Sequence, residues 1–311
     1  MNLDEAHDDY TALSYVWGRP EFDMEFLVEG KPLPVTDNLD KALRRMRSEK
    51  EIVTVWADAI CIDQVSMQEK SHQVPLMTRV YEQADRVFSS LGDATGFSAV
   101  GMETLAFLVG DAPFDDNAPW NRLPPELVAQ GLEDILQRTY FRRVWIVQEA
   151  ALGRRIRLQV GDIWVQWDDG EDTRRFLTRI KLLEVSPAWA TEALGAIDLR
   201  PIRELLEQSV ADRERKACIS RPATWLDLVH SMRHMQSTNP RDKIYGLMGL
   251  ASPADVAGFS PDYVESWEET YRRFYNHVYS RALQNPGQAW EAPMIQREKQ
   301  TMWDRLQEGC Q

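Results

Sequence analysis

One stretch of the chain combines residue types that electrostatic catalysis uses. Residues 138–157 read RTYFRRVWIVQEAALGRRIR, with a single acid, Glu149, among six arginines. On a helix, Trp145 and Glu149 are i and i+4 neighbours on one face, with Arg142 one turn before Trp145. A carboxylate in that position can stabilise a developing oxocarbenium cation, and guanidinium groups can bind phosphate oxygens. In the alternative interpretation, Glu149 is a solvated or bridging acid and the arginines form surface ion pairs.

The overall composition limits the classes of function. The 311 residues are 43% hydrophobic and 27% charged, which is typical of a globular protein with a core, and the formal net charge is −13. An acidic chain repels phosphate backbones, so we expect no nucleic-acid partner. No apolar run approaches the roughly 18 residues of a membrane span, and the acidic N-terminus does not resemble a secretory signal. These features predict a cytoplasmic protein.

Cysteine and histidine spacing gives no support for a metal or disulfide framework. Cys61, Cys218 and Cys310 are far apart and never form a C-x-x-C pair, so we expect reduced thiols. Cys61 is interpreted as a small core residue in preference to a nucleophile, because no partner base is identifiable. His230 and His234 have the i, i+4 spacing of zinc ligands on a predicted helix, but no third ligand is evident. The sequence therefore predicts no metal site and no bound cofactor.

The pattern of apolar residues predicts alternating strands and helices in the first half. Apolar β-rich runs at 11–17, 52–57 and 86–92 are separated by amphipathic helices that begin at Asp37 and after the capping-box pair Ser66 and Glu69. This order favours a parallel sheet with helices on both faces, an α/β fold. The remaining segments are interpreted as a β-hairpin at 21–35, a surface loop at 111–125, a second hairpin around Gly161-Asp162, and a mainly helical region after 168.

Parallel sheets bind ligands at the carboxyl ends of their strands. The first strand ends with Ser14, Tyr15, Trp17 and Gly18, and the second is followed by Asp58 and Asp63; these six residues are candidates for a binding site. Core packing is the simpler role for the two aromatic residues. Asp58 is equally compatible with a hydrogen bond to a ribose hydroxyl and with capping a loop.

Four blocks of the sequence together resemble the fungal heterokaryon incompatibility (HET) domain. They are YTALSYVWG at 10–18, VWADAICIDQVSMQEKSHQVPLMTRVYEQADRV at 55–87, RTYFRRVWIVQEAALG at 138–153, and NPRDKIYGLMGLA at 239–251. The chain departs from the family pattern at Asp63, where Asn is usual, and at Lys70, where Arg is usual. In the last block, we expect Arg241 and Asp242 to form an ion pair.

The resemblance implies both a fold and a chemistry. HET domains look like distant relatives of TIR domains, which share a flavodoxin-like parallel sheet and in many cases cleave NAD. The implied organisation is a TIR-like core at 1–167, with a β-hairpin insertion, and a helical region at 168–311. By the same resemblance, W-x-x-x-E from Trp145 to Glu149 marks Glu149 as the catalytic residue. Arg142, Arg143 and Trp145 then join the candidates for NAD binding.

The family resemblance implies a biological role in nonself recognition that leads to programmed cell death. Self-association and an incompatibility partner protein or receptor are expected, and NAD is expected as a substrate. The alternative is a non-catalytic signalling or adaptor module, in which the arginine-rich surface binds an acidic partner protein.

Overall fold

The computed structural model describes residues 10–168, 170–219 and 224–284. The strands are β1 (Thr11–Tyr15), β2 (Met24–Val28), β3 (Lys31–Val35), β4 (Val55–Trp56), β5 (Arg86–Ser90), β6 (Arg155–Val160) and β7 (Ile163–Asp168). The helices are α1 (Asp37–Met46), α2 (Asp58–Cys61), α3 (Met67–Gln83), α4 (Ser98–Val109), α5 (Pro119–Arg122), α6 (Pro125–Leu136), α7 (Val144–Leu152), α8 (Glu171–Glu184), α9 (Glu192–Gly195), α10 (Arg200–Lys216), α11 (Trp225–Ser231), α12 (Asp242–Tyr245), α13 (Pro253–Val256) and α14 (Trp267–Gln284).

A five-stranded sheet with the order β4-β1-β5-β6-β7 is the centre of the α/β architecture. Strands β4, β1, β5 and β6 are parallel to one another, and β7 returns antiparallel to β6. The expected mostly parallel sheet flanked by helices is confirmed. Both expected hairpins are confirmed as well: β2 pairs with β3 in a separate two-stranded sheet, and β6 turns into β7 at Gly161, which has the positive φ of +55° that the turn requires.

Strand β1 lies inside the sheet, between β4 and β5, and its residues are apolar or small on both faces. Ala12, Leu13, Ser14 and Tyr15 are all buried, as expected for a strand that has parallel neighbours on both edges and helices on its faces. Successive side chains alternate between the two faces, so Ser14 points away from Leu13 and Tyr15. On the face of β1 that carries Ala12, the strand therefore presents one hydroxyl group, that of Ser14.

Two sequence-based boundaries were wrong. The predicted strand 52–57 is reduced to the two residues of β4, because this strand lies at the edge of the sheet and pairs only with β1; Ile52 is 99% exposed. The predicted loop 111–125 contains the short helix α5, whose Trp120 is buried in edge-to-face contact with the rings of Phe107 and Phe114. Aromatic burial therefore orders a segment that its Pro and Asp content predicted as irregular.

Helix starts follow the predicted capping rules in part. The backbone N–H of Glu69 donates to Ser66 Oγ over 3.2 Å, as the predicted start of α3 requires. In a capping box the Glu69 carboxylate would accept in return from the backbone N–H of Ser66. Here it accepts from the backbone N–H of Asp63. Helix α11 ends at Ser231, so His234 lies beyond the helix on which it was predicted.

The described chain divides into two compact units. The first takes in the described parts of Met1–Asp58, Arg79–Phe141 and Glu149–Val210, and it contains the five-stranded sheet. The second takes in Ala59–Thr78, Arg142–Gln148 and the described part of Ala211–Gln311. None of the helices within the described ranges is long and apolar enough to cross a membrane. Cys310, predicted to be a reduced thiol, lies outside the described residues.

Helices α4 and α6 approach one another closely through two glycines. A Cβ placed on Gly131 would lie 2.5 Å from the backbone nitrogen of Gly101, inside any allowed contact. The two backbones therefore touch where neither residue has a side chain. This close approach brings α4 and α6 into direct packing in the first unit.

We expect Gly131→Ala to lower the free energy of unfolding by about 1–3 kcal/mol, because the added methyl group forces the α4 and α6 backbones apart. Urea unfolding measures the change. Gly96→Ala is the matched control, since a Cβ at Gly96 meets no atom within 4 Å. Equal stability of the two variants would contradict the proposed close contact.

Candidate functional site

Glu149 lies on helix α7 and is buried in the first unit. The residue is only 5% exposed, and its Oε2 accepts a hydrogen bond from Ser14 Oγ on strand β1. A buried carboxylate is costly unless it is hydrogen-bonded or paired, and the Ser14 hydroxyl supplies one such bond. The structure therefore brings together two of the predicted site residues that are 135 positions apart in the sequence.

A second hydroxyl extends this contact into a chain. The Tyr140 hydroxyl is 2.9 Å from Ser14 Oγ, and Tyr140 is also buried. A serine hydroxyl has one proton. When Ser14 uses it to donate a hydrogen bond to Glu149, the Ser14 oxygen accepts a hydrogen bond from the Tyr140 hydroxyl. The bonds then run from Tyr140 to Ser14 to Glu149. This arrangement directs two donors towards the negative charge of the carboxylate.

Sequence analysis missed Tyr140. The residue lies in the arginine-rich block, nine positions before Glu149, in a 3-10 helix at Thr139–Arg142. Periodicity does not distinguish it from the neighbouring Phe141, which packs edge-to-face against its ring. Only the position of Tyr140 inside the same arginine-rich block as Glu149 could have indicated that the two residues lie close together.

A small cavity adjoins this cluster. The volume is about 10 Å³, and Ser89 and Tyr140 are among the lining residues, together with apolar side chains from β6, β7 and α10. Ser89 pairs in register with Ser14 on the neighbouring strand, and its buried Oγ has no hydrogen-bond partner. Ligand pockets usually measure roughly 300–1,000 Å³. The cavity therefore holds no more than about one water molecule in this conformation.

Trp17 and Asp58 form a separate contact at the carboxyl ends of β1 and β4. The Trp17 indole N–H donates to Asp58 Oδ2 over 3.0 Å. Gly18 has a positive φ of +79°, and a Cβ there would lie 2.7 Å from Asn38 Nδ2, whose amide donates to the carbonyl of Val16. The predicted residues Trp17, Gly18 and Asp58 thus lie at one end of the sheet, and one oxygen of Asp58 accepts from a neighbouring side chain.

The other predicted residues belong to the second unit. Arg142 is exposed and Arg143 half-buried. Asp63 has a local structural role, because its Oδ1 accepts from the backbone N–H groups of Val65 and Ser66 ahead of α3.

Trp145 lies beside a half-buried acid, Asp242. The indole and the Tyr263 hydroxyl both hydrogen-bond the Asp242 carboxylate, the latter over 2.6 Å. Burial raises the pKa of Asp242, and these hydrogen bonds act in the opposite direction. The prediction of an ion pair between Arg241 and Asp242 was wrong, because Arg241 donates to the carbonyl of Glu265 and to the side chain of Asn239. Two neutral donors therefore bind this carboxylate directly, and the charges of Lys70 and Arg143 also lower its pKa.

Three of the six arginines of the basic stretch, Arg138, Arg154 and Arg155, donate to backbone carbonyls or acids of the first unit. Arg138 donates to the carbonyls of Leu91 and Asp93, and to Asp134. Arg154 donates to the carbonyls of Gln83 and Ala84, and Arg155 pairs with Asp85. The ion-pair interpretation accounts for Arg138 and Arg155, whereas Arg154 binds backbone carbonyls and Arg157 packs on aromatic rings. Among the described residues, no group of three or more His, Cys, Asp or Glu side chains could hold a metal ion.

Comparison with known proteins finds one family and one relative. A family profile described as heterokaryon incompatibility protein (HET) matches residues 10–149. A Neurospora crassa protein described as heterokaryon incompatibility protein 6, OR allele, is 29% identical over 322 aligned positions, which cover 83% of the chain and 45% of that relative. The chain thus spans less than half of the relative's length. No solved structure matches, so the TIR-like form of the sheet stays a prediction.

We expect Ser14→Ala to lower the free energy of unfolding by about 1–3 kcal/mol, because the variant leaves the buried Glu149 carboxylate and the Tyr140 hydroxyl without their shared partner. Ser89→Ala is the matched control, since the Ser89 hydroxyl is buried without a partner and its removal is expected to be neutral or stabilising. Urea unfolding compares the two. A larger loss in Ser89→Ala than in Ser14→Ala would contradict this assignment.

The raised pKa of Asp242 predicts a pH-dependent stability. Between the ordinary value of about 3.9 and the higher folded value, the native state binds more protons than the unfolded state. The free energy of unfolding therefore falls as pH rises through this window. Asp242→Asn removes the titration, so its stability relative to the unmodified chain should improve as pH rises above about 3.9.

Urea unfolding at several pH values tests this expectation. Asp116→Asn, at an exposed position, is the control for removing one carboxylate. A constant stability difference between Asp242→Asn and the unmodified chain across the pH range would show that burial of Asp242 does not govern the dependence.

Proposed function

The chain is a heterokaryon incompatibility (HET) domain protein, and from this premise we propose that it acts in fungal nonself recognition leading to programmed cell death by cleaving NAD. The relative's description names heterokaryon incompatibility, which supports the general role. The proposed reaction is hydrolysis of the nicotinamide-ribose bond. We further propose that the protein self-associates and responds to an incompatibility partner protein.

One observation supports the proposed chemistry: the Glu149 carboxylate is fixed against the interior strand β1 by a hydrogen bond from Ser14. In the proposed reaction, the bond between ribose C1′ and the pyridinium nitrogen breaks, and both electrons leave with nicotinamide. Glu149 stabilises the oxocarbenium charge that develops at C1′. Water adds to C1′ and loses a proton. Because nicotinamide departs as a neutral molecule, one carboxylate suffices and a second acid is not required.

The burial of Glu149 adds a condition to the proposal. The carboxylate is 5% exposed, and the adjoining cavity of about 10 Å³ is too small for a dinucleotide. Catalysis therefore requires a rearrangement that opens the site, and we propose that self-association or a partner provides it. The roles of Ser14, Tyr15, Trp17, Gly18 and Asp58 in NAD binding stay predictions, as do those of Asp63, Arg142, Arg143 and Trp145.

The second candidate function is a non-catalytic signalling module. The same burial supports it, because a purely structural role, joining α7 to β1, is enough to explain a buried and hydrogen-bonded acid. In that case Glu149 contributes to stability and the protein acts through its contacts with a partner. The two candidates differ in what happens to NAD.

We expect Glu149→Gln to reduce nicotinamide release by about a hundredfold or more, because an amide cannot stabilise the oxocarbenium charge as a carboxylate does. Gln keeps the size of Glu and can still accept from Ser14. Purified protein is incubated with NAD, nicotinamide is quantified, and the assembled fraction is isolated by size. Glu133→Gln, at an exposed position on α6, is the matched control.

Turnover that survives in Glu149→Gln would exclude the assigned role of Glu149. Absence of turnover in an assembled sample of the unmodified chain would favour the non-catalytic module. If Glu149→Gln were to unfold, the thermal transition of the variant would reveal this before the activities are compared.

A further inference from the structure

The face of the five-stranded sheet opposite Ser14 carries a cluster of cations and aromatic rings. Phe88 on β5, Arg157 on β6 and Gln166 on β7 are register partners and share this face. Trp164 lies two residues before Gln166 and is therefore on the same face; it is 52% exposed. We call this surface, made by Arg86, Phe88, Arg155, Arg157, Trp164 and Gln166, the Arg157 face.

Arg157 is held by aromatic rings and has no acidic partner. Its guanidinium carbon is 4.6 Å from the ring centroid of Trp164 and 5.5 Å from that of Phe88. Within the described chain, Arg157 makes no hydrogen bond or ion pair, and its Nε is buried without a partner. A guanidinium that stacks through its flat faces keeps its in-plane N–H donors available. The side chain is thus fixed in place with donors left to bind an anion.

The surroundings make this cation costly to keep unpaired. Burial and the nearby Arg86 both lower the pKa of Arg157, because its charge is partly desolvated and faces a like charge. The acids near this face are already engaged. Asp85 pairs with both Arg86 and Arg155, and Asp168 lies 3.9 Å from Arg155. Three arginines face two aspartates, so an added carboxylate would bind Arg157 without displacing an existing pair.

We propose that the Arg157 face binds an acidic segment of a partner protein, with a carboxylate on the Arg157 guanidinium and apolar atoms against Trp164. Charge complementarity identifies the occupant, since this cation-rich face lies on a chain of net charge −13. That net charge repels a polyanion such as nucleic acid at long range, whereas a short acidic peptide meets only the local field. An exposed indole beside an arginine is a common anchor pair in protein interfaces. This proposal does not depend on NAD cleavage.

A labelled peptide of alternating Glu and Leu, titrated with the full chain and followed by fluorescence anisotropy, tests the proposal. We expect Arg157→Ala to weaken binding about tenfold or more, as for loss of a charge-assisted hydrogen bond. Arg157→Lys should also weaken it, because lysine keeps the charge but not the planar stack. Arg200→Ala is the matched control, since Arg200 is exposed and lies on α10, away from the Arg157 face. The affinity of this variant for the peptide should match that of the unmodified chain.

Three outcomes would overturn the proposal. The first is no binding of the Glu-Leu peptide up to about 1 mM. The second is equal affinity of Arg157→Ala and Arg157→Lys with the unmodified chain. The third is tighter binding of inorganic phosphate than of the peptide, which would assign the face to phosphate. Circular dichroism checks the fold, and Arg157→Lys retains the aliphatic cover over Phe88 if Arg157→Ala does not fold.

Discussion

The hydrogen bond between Ser14 and Glu149 is the contact on which the candidate site depends. It places a carboxylate against β1, an interior strand of a mostly parallel sheet that pairs with β4 on one side and β5 on the other. Burying a charge without partners costs several kcal/mol, so the carboxylate requires donors, and Ser14 and Tyr140 are placed to act in series. The apolar residues of α7 allow this burial because a helix that is apolar on nearly every side is buried. This hydrogen bond joins β1 to the part of α7 that carries Glu149.

The arginines of the basic stretch serve mainly to complete the fold. Arg138 satisfies carbonyls at the end of β5, and Arg154 does the same at the end of α3. Such donors are needed where strands and helices end, since the terminal carbonyls have no partner within their own element. A locally basic stretch in an acidic protein can therefore serve the fold at several of its positions. Arg157 is the departure from this pattern, because aromatic rings, not acceptors, fix its side chain.

Sequence reasoning succeeded where the information is local. The order of strands and helices, both hairpins and the start of α3 follow from periodicity and capping, which depend on residues within one or two turns of each other. The extent of β4 did not follow, because only its place at the sheet edge determines which apolar residues are buried. Glu149 was found through its block, and Ser14 through its position at the end of β1, but their direct contact required the fold. Tyr140 was missed because the contact with Ser14 joins residues 126 positions apart.

The burial of Glu149 also fixes what activation must supply under the catalytic proposal. Opening the site breaks the bond to Ser14, which costs about 1–3 kcal/mol if the released groups are not resolvated at once. A difference of that size leaves roughly 1–15% of the molecules open at rest, since each 1.4 kcal/mol is a factor of ten. Substrate affinity is reduced by the same fraction. Assembly or a partner that binds the open form more tightly by the same free energy would open half of the molecules, and about 1.4 kcal/mol more would open about 90% of them, so weak coupling is enough to switch a buried carboxylate on.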